Sequence, residues 1–261
     1  MGAIEGAGAP IKSRSYIGRS KLAETDVERG GAISVRDQGG LPLFLLNELP
    51  LPPVEGPARR IQLVLKRWAL DVPLSLLGLL TLSPLLVAIA MAVSWGSGSP
   101  VLFAQERLGL GGKPFRMLKF RTTRRDAADP SGLTQITADD HRVTKLGRYL
   151  RASSLDELPQ LWNVLLGQMS IIGPRPMVAG QRAADRDYRE VVPFYDYRLV
   201  VKPGLSGWAQ ANGLRGTTAD MDTARRRIEY DCAYIQNFSL ILDLKIILLT
   251  VFTALPRNDG V

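Results

Sequence analysis

The chain of 261 residues is long enough for one sizeable domain with appendages, and 46% of its residues are apolar, which is enough to form a core. Its net charge of +8 indicates a polyanionic partner, such as nucleic acid, anionic lipid headgroups or a phosphorylated substrate. A single cysteine excludes an intrachain disulfide, and a single histidine argues against a zinc site of the usual His/Cys type. We therefore expect any metal to be a hard cation held by oxygen ligands, which points to Mg²⁺.

The first 58 residues lack a sustained apolar period and are rich in Gly, Pro, Arg and Glu. No apolar stretch follows the first basic residues, so this start does not resemble a signal peptide. We interpret residues 1–58 as a mostly irregular extension, with Leu41–Leu51 as a short docking segment.

A membrane segment is predicted over residues 59–98. Val72 to Trp95 contains no charged residue and is long enough to cross the roughly 30 Å apolar layer of a bilayer. However, Ser83-Pro84 lies at its midpoint, where proline removes a backbone donor and kinks a helix. Basic residues flank both ends, and the positive-inside rule places both flanks in the cytoplasm. We therefore favour a re-entrant helix, broken at Ser83 and Pro84, over a single crossing.

The remaining region, residues 99–255, has the pattern of a mainly helical α/β domain. Short strands are predicted over residues 100–104 and 114–120, and helices over residues 142–150, 155–166 and 222–235. The last segment, residues 239–255, is apolar but carries Asp243 and Lys245. That composition fits an interfacial amphipathic helix better than a second membrane span.

The densest cluster of chemically active residues lies between Leu150 and Asn163. Asp156 and Glu157 are adjacent acids at a predicted helix start. Ser154 and Glu157 also match a capping box, so a purely structural role stays open at this point. Helical spacing places Gln160 on one face with Asp156 and Asn163, opposite the leucines, where a substrate could bind.

Cations and a glycine-rich loop offer further candidates. Lys119 and Arg121 alternate along a predicted strand, so both would face a diphosphate, although a solvated edge strand would look the same. Arg175 lies in a Gly-Pro-Arg-Pro turn that would preorganise its guanidinium. The loop from Lys202 to Gly213 contains Trp208 and Gln210; it would cradle phosphates or stack a base, or simply connect two elements.

The segments KFRT, LRASSLDELPQLWNVL, GPRP, VKPGLSGWAQANG and RIEYDCAYIQNFSLILDLKII occur in an order that resembles the monotopic phosphoglycosyl transferases, the bacterial priming sugar transferases. The resemblance covers about residues 60 to 255. It implies a monotopic α/β protein of the bacterial inner membrane, with a re-entrant helix and a catalytic domain facing the cytoplasm.

The resemblance also implies a reaction. Asp156 would be the nucleophile and a Mg²⁺ ligand, with Glu157 handling a proton or activating the acceptor. Arg151 and Lys119 would neutralise phosphates. The donor would be a UDP-sugar and the acceptor polyprenyl (undecaprenyl) phosphate, with release of UMP. The segment from Val201 to Gly216 is most similar to the branch that transfers glucose-1-phosphate or a related hexose phosphate.

Some positions depart from the family pattern, which leaves the sugar pocket open. Gln168 stands where relatives often carry an acid, Thr123 replaces a frequent methionine, and residues 177–180 lack the usual acids. Nucleic acid is not expected as a partner, and the oligomeric state stays open, a dimer being one option. The alternatives are a non-catalytic basic scaffold tethered to the membrane, or a multi-span transferase that forms no covalent intermediate.

Overall fold

A computed structural model of the protein describes residues 32–36, 42–46, 56–127, 136, 140–183, 186–192, 194–214 and 221–254. The first described element is an antiparallel hairpin of β1 (Ala32–Arg36) and β2 (Pro42–Leu46), in which Ala32 pairs with Leu46. These ten residues are therefore regular within the extension predicted to be mostly irregular, and that prediction stays open for the remainder. Part of the predicted docking segment forms β2, and the rest of it lies outside the described residues.

The segment predicted to enter the membrane, called the membrane segment below, begins with α1 (Pro57–Lys66), a π-helical turn (Arg67–Asp71) and α2 (Val72–Thr81). In the π-helical turn the Val72 N–H donates to the carbonyl of Arg67, five residues back. Pro73 explains this local widening, because it has no N–H to donate to the residue four positions earlier. The turn changes the direction in which Arg67 and Asp71 project from the helix.

A sharp bend separates α2 from α3 (Ser83–Ser97) at Leu82. Among the described residues, no single helix is both long and apolar enough to cross a membrane. The segments Arg59–Thr81 and Ser83–Ser97 meet that criterion only together, and they are bent by 62°. Pro84 cannot donate to the Leu80 carbonyl, which instead accepts from the Ser83 hydroxyl at 2.8 Å. The predicted break at Ser83-Pro84 is confirmed, and its freed carbonyl has a local donor.

The domain that follows combines short strands with helices. The antiparallel strands β3 (Leu102–Leu108) and β4 (Pro114–Phe120) pair Leu102 with Phe120. Next come α4 (Lys145–Ala152), a 3₁₀ turn (Leu155–Glu157), α5 (Gln160–Leu165), β5 (Ser170–Ile172), β6 (Arg182–Ala183), β7 (Arg186–Asp187), α6 (Tyr188–Val191), a 3₁₀ segment (Tyr195–Val200), β8 (Gly204–Ser206), α7 (Trp208–Ala211), α8 (Met221–Gln236) and α9 (Leu240–Ala254). Strands β5 and β8 are parallel, whereas β6 and β7 are antiparallel.

Most predicted elements exist, with shifted bounds. The second strand, β4, has its predicted range, while β3 begins two residues late and runs on to Leu108. The helix predicted from residue 142 begins at Lys145, because Thr144 caps it by accepting from the Gly147 N–H at 2.9 Å. The helix predicted over residues 155–166 is instead a 3₁₀ turn followed by α5.

The main core forms where α7, α8 and α9 pack together. Its fully buried members include Trp208, Ile228, Tyr234 and Ile246. Cys232 is buried in the same core as a free thiol. The core thus lies in the C-terminal half of the domain and gives β8 a rigid support.

A buried charged cluster joins the membrane segment to this core. The Lys66 ammonium lies 3.1 Å from the Asp243 carboxylate and donates to the Tyr234 hydroxyl at 2.7 Å and the Ile172 carbonyl at 2.6 Å. Asp243 is therefore buried, so in the helix predicted to be amphipathic this acid faces the core. The exposed stripe of α9 is instead apolar, formed by Ile241, Leu244, Leu248 and Val251.

Two further residues of the π-helical turn bind the domain directly. Arg67 donates to the carbonyls of Val164 and Leu165 at the C-terminal end of α5. The Asp71 carboxylate accepts from the Ser170 hydroxyl at 2.8 Å and the Ile171 N–H at 2.9 Å. The base of the membrane segment is thereby attached to both α5 and β5.

Candidate active site

The two adjacent acids lie in a tight turn between α4 and α5. Ser154 adopts the left-handed conformation with φ of 57°, which reverses the chain after α4. Its side chain makes no capping hydrogen bond. The capping-box interpretation was therefore wrong, since Ser154 does not cap the following turn and Glu157 is bonded elsewhere.

Glu157 forms the centre of an ion-pair cluster. Its carboxylate accepts from Lys119 Nζ at 2.7 Å and from Arg175 at 2.6 and 3.3 Å. Burial alone would raise the pKa of Glu157, but the charges of Arg175 and Lys119 outweigh it and hold that pKa well below its ordinary value. Glu157 is thus ionised and joins β4 to the Gly-Pro-Arg-Pro turn.

Asp156 lies beside this cluster in a different state. Its side chain is only 5% exposed. Within the described part of the chain, its carboxylate has no hydrogen bond and no ion pair. Burial raises the pKa of Asp156, and the nearby charge of Lys119 opposes this rise. A buried carboxylate with unused oxygens is suited to nucleophilic attack or to binding a cation.

Two arginines are candidates for binding an anion. Arg121 is 8% exposed, and its Nε and Nη1 atoms find no acceptor among the described side chains and backbone groups. Arg151 donates from Nε to the Thr122 hydroxyl at 2.9 Å, and its positive charge is felt by Asp156. Buried guanidinium donors without acceptors suit an anionic ligand, because an unpaired buried donor is costly.

The polar face predicted for the helix after the acids points into the protein. Asn163 is buried: its side-chain amide accepts from the Leu118 N–H at 2.9 Å and donates to the Arg116 carbonyl at 2.8 Å. It therefore fastens α5 to β4 rather than forming an open substrate surface. Gln160 is also buried, and its Nε2 has no acceptor within the described residues.

Trp208 and Gln210 are not placed as predicted. Trp208 is 0% exposed in the main core, so its ring has no free face on which a base could stack. Gln210 is also buried, in the same short helix α7. The predicted loop is thus a short helix at this point, and the substrate-binding role of these two residues stays a prediction.

Sequence patterns missed three residues behind Arg175. Arg198 donates to the Arg175 carbonyl and forms a buried ion pair of 2.8 Å with Asp231. Burial raises the pKa of Asp231 to about 6. Arg107 donates to the Pro176 carbonyl at 3.4 Å. The one sequence signal for Arg107 was the alternation of β3. It places Arg107 on the same face of the strand as Gln105, which is buried.

No group of three or more His, Cys, Asp or Glu side chains suited to a metal exists among the described residues. Glu157 is occupied by two cations, which leaves Asp156 as the acid with free oxygens at this site. A Mg²⁺ ion here would thus have a single protein carboxylate, and substrate phosphates and water would complete its ligands.

Comparison with known proteins places the site in context. A family model described as bacterial sugar transferase matches residues 61–257. A Klebsiella pneumoniae protein named UDP-glucose:undecaprenyl-phosphate glucose-1-phosphate transferase is 46% identical over 208 residues, which is 79% of this chain and 44% of that protein. An exopolysaccharide production protein of Rhizobium leguminosarum is 46% identical over 200 residues, covering 77% of this chain and all of that protein.

Another relative is named for a different sugar. The Aeromonas hydrophila UDP-N-acetylgalactosamine-undecaprenyl-phosphate N-acetylgalactosaminephosphotransferase is 41% identical over 186 residues, which is 71% of this chain and 43% of that protein. The chain therefore spans less than half the length of the Klebsiella and Aeromonas relatives.

Gly147 tests the packing that positions the site. A Cβ added there would lie 2.0 Å from the Thr122 carbonyl oxygen, between α4 and the segment that carries Arg121 and Thr122. We expect Gly147→Ala to lower the free energy of unfolding by about 2 kcal/mol or more, because backbone must move. Gly96→Ala is the matched control, since its Cβ would meet nothing within 4 Å. The measurement is thermal unfolding in detergent. Equal melting temperatures for the two variants would contradict this packing.

Proposed function

Because the chain belongs to the bacterial sugar transferase family, we propose that it transfers a sugar-1-phosphate from a UDP-sugar to polyprenyl phosphate, through a covalent intermediate on Asp156. The observation that carries the proposal is the contrast between the adjacent acids. Glu157 is held by Lys119 and Arg175, whereas Asp156 is buried, unpaired and close to positive charge. A basic scaffold protein would have no need for such an arrangement.

The proposed reaction has two displacements at one phosphorus atom. A carboxylate oxygen of Asp156 attacks the β-phosphorus of the UDP-sugar, the bond from that phosphorus to the bridging oxygen breaks, and UMP leaves with the bonding electrons. A phosphate oxygen of the polyprenyl phosphate then attacks the same phosphorus. The Asp156 carboxylate leaves, and a polyprenyl diphosphate sugar is formed. Splitting the transfer in this way lets each substrate bind and leave in turn.

The surrounding cations have distinct proposed roles. Arg121 and Arg151 bind the diphosphate, since the buried Nε and Nη1 of Arg121 have no acceptor within the described structure. Lys119 and Arg175 are already paired with Glu157 and act on the phosphates through the charge they add nearby. Glu157 holds both cations in position, and we propose that it assists the acceptor in the second displacement. Gln160 offers its unpaired amide N–H as a further donor to the substrate.

Mg²⁺ fits this site as a cofactor. The free oxygens of Asp156 would hold it together with the diphosphate of the donor, in keeping with the few protein carboxylates that Mg²⁺ commonly uses. When bound, the ion would offset the negative charge of the diphosphate.

We further propose that the bent segment enters and leaves the inner membrane from the cytoplasmic side. The helices α1 to α3 expose many large apolar side chains, among them Trp68, Leu77, Leu80, Met91 and Trp95, to which α9 adds its apolar stripe. An exposed apolar area of this extent is typical of a membrane-facing surface. The domain carrying Asp156 then lies in the cytoplasm, where nucleotide sugars are made.

For the sugar we propose glucose, in the first membrane step of exopolysaccharide or glycoconjugate synthesis. The support is that the Klebsiella relative is named for glucose-1-phosphate and the Rhizobium relative for exopolysaccharide production. The Aeromonas relative is named for N-acetylgalactosamine, which makes UDP-N-acetylgalactosamine the second donor to assay.

Asp156→Asn tests the nucleophile. The amide has the shape of the acid but cannot form an acyl phosphate, so we expect UMP release to fall on the order of a thousandfold or more. Thermal stability should change little, because the carboxylate has no bond to lose within the described chain. Asp196→Asn is the matched control, since Asp196 is exposed and its ion pair in the described structure is the exposed one with Arg189. A variant with asparagine at 156 that still released UMP from UDP-glucose at near the normal rate would end this proposal.

Membrane topology is tested by single cysteines at exposed positions on either side of the bent segment. Arg60→Cys and Ser99→Cys are suitable because the native Cys232 is buried and silent. We expect both to resist a membrane-impermeant maleimide in intact cells and to react once the cells are permeabilised, because both flanks lie in the cytoplasm. Labelling of one position alone in intact cells would show a single crossing instead.

A further inference from the structure

A cavity lies at the base of the membrane segment, and neither Asp156 nor Glu157 lines it. Its volume is about 300 Å³, and much of its wall is apolar: Leu63, Val64 and Trp68 on one side, with Leu110, Val200 and Phe238 among the others. Neither acid of the candidate active site lines it, and neither do Lys119, Arg121, Arg151 or Arg175. It is therefore a separate site, and nothing in the proposed reaction uses it.

Two cations meet in the wall of this cavity. Arg67 and Lys202 both line it, and both approach Gly167, where an added Cβ would lie 3.5 Å from Arg67 Nη2 and 3.6 Å from Lys202 Nζ. Arg67 is held in place by the carbonyls at the end of α5. The Lys202 ammonium has no acceptor in the described chain, and burial together with the charge of Arg67 lowers its pKa. An anion bound between the two cations would give the Lys202 ammonium an acceptor and would offset the repulsion between the two positive charges.

The charge balance of the cavity favours an anion. Lys66, Arg67 and Lys202 line it, and Arg59 lies over the ring of Phe238 in its wall, so four positive charges are at or beside the cavity. Asp71 in its wall and Asp243, paired with Lys66, supply two negative charges. The excess is positive, which suits the phosphodiester of an anionic lipid better than a lipid without net charge.

Two exposed apolar side chains line the cavity, one from α1 and one from the π-helical turn. Val64 and Trp68 line it and are 57% and 67% exposed, on the surface that we place against the membrane. Tryptophan at such a position is typical of the layer where headgroups meet acyl chains. A ligand here would thus have its charged group inside and its apolar part beside these two side chains.

We propose that this cavity binds the headgroup of an anionic glycerophospholipid, of the phosphatidylglycerol type, with its phosphodiester between Arg67 and Lys202. The site is distinct from that of the acceptor lipid, whose phosphate must reach Asp156. Because Arg67 also holds the end of α5, the bound lipid stabilises the helix that starts beside the two acids.

Native mass spectrometry of the full chain tests this directly, without any assay of transfer. The protein is purified in detergent and incubated with equal amounts of phosphatidylglycerol and phosphatidylcholine. We expect one phosphatidylglycerol to be retained in preference to phosphatidylcholine. Lys202→Gln should reduce that preference about tenfold, the effect of losing one charge-assisted contact. Lys145→Gln, which removes an equal charge from an exposed residue at the start of α4, should leave it unchanged.

A second variant tests the cavity apart from its charge. Val64→Trp places a bulky ring at an exposed position that lines the cavity and should also reduce retention, with no change in net charge. Equal retention of both lipids by the wild type, or unchanged selectivity in Lys202→Gln and Val64→Trp, would overturn the proposal. So would displacement of phosphatidylglycerol by an equimolar polyprenyl phosphate, because the cavity would then belong to the acceptor. None of these results depends on whether Asp156 is the nucleophile.

Discussion

The arrangement of the candidate active site depends on the ion pairs of Glu157. This carboxylate connects three parts of the chain that are distant in sequence: the end of β4 through Lys119, the turn between α4 and α5, and the Gly-Pro-Arg-Pro turn through Arg175. Two cations around one carboxylate leave a net positive charge next to Asp156. A buried Asp156 thereby remains free of bonds within the described chain, and the nearby cations oppose the rise in its pKa that burial causes.

The same site depends on the membrane segment for its position. Arg67 binds the end of α5, Asp71 binds the start of β5, and Lys66 joins the core through Asp243. All three residues lie at the π-helical turn or directly before it, where the missing N–H of Pro73 widens the helix. The segment thus acts as part of the domain, so that the acids are held at a set distance from the bent helices that we propose to enter the membrane.

Much of this could be predicted where one local rule dominates. The range of β4 follows from its alternation, and the bend at Ser83-Pro84 follows from the missing donor of proline. The failures share a different cause. The capping box and the exposed polar face of α5 both depended on what packs against each residue. Asn163 is buried because its side chain bonds to backbone groups of β4. The side chain of Glu157 does not cap a helix because it binds two cations that are distant in sequence. The local sequence around a residue does not predict which distant residues will pack against it.

The most direct test of the contrast between the two acids is to trap the intermediate chemically. An aspartyl phosphate reacts with hydroxylamine at the carboxyl carbon, leaving a hydroxamate on the residue that carried the phosphoryl group. The wild-type protein given UDP-glucose and Mg²⁺, without lipid acceptor, should yield a hydroxamate on Asp156, identified by peptide mass spectrometry, and none when UDP-glucose is omitted. A hydroxamate on Glu157, or UMP release without any hydroxamate on Asp156, would contradict the assignment of Asp156 as the nucleophile.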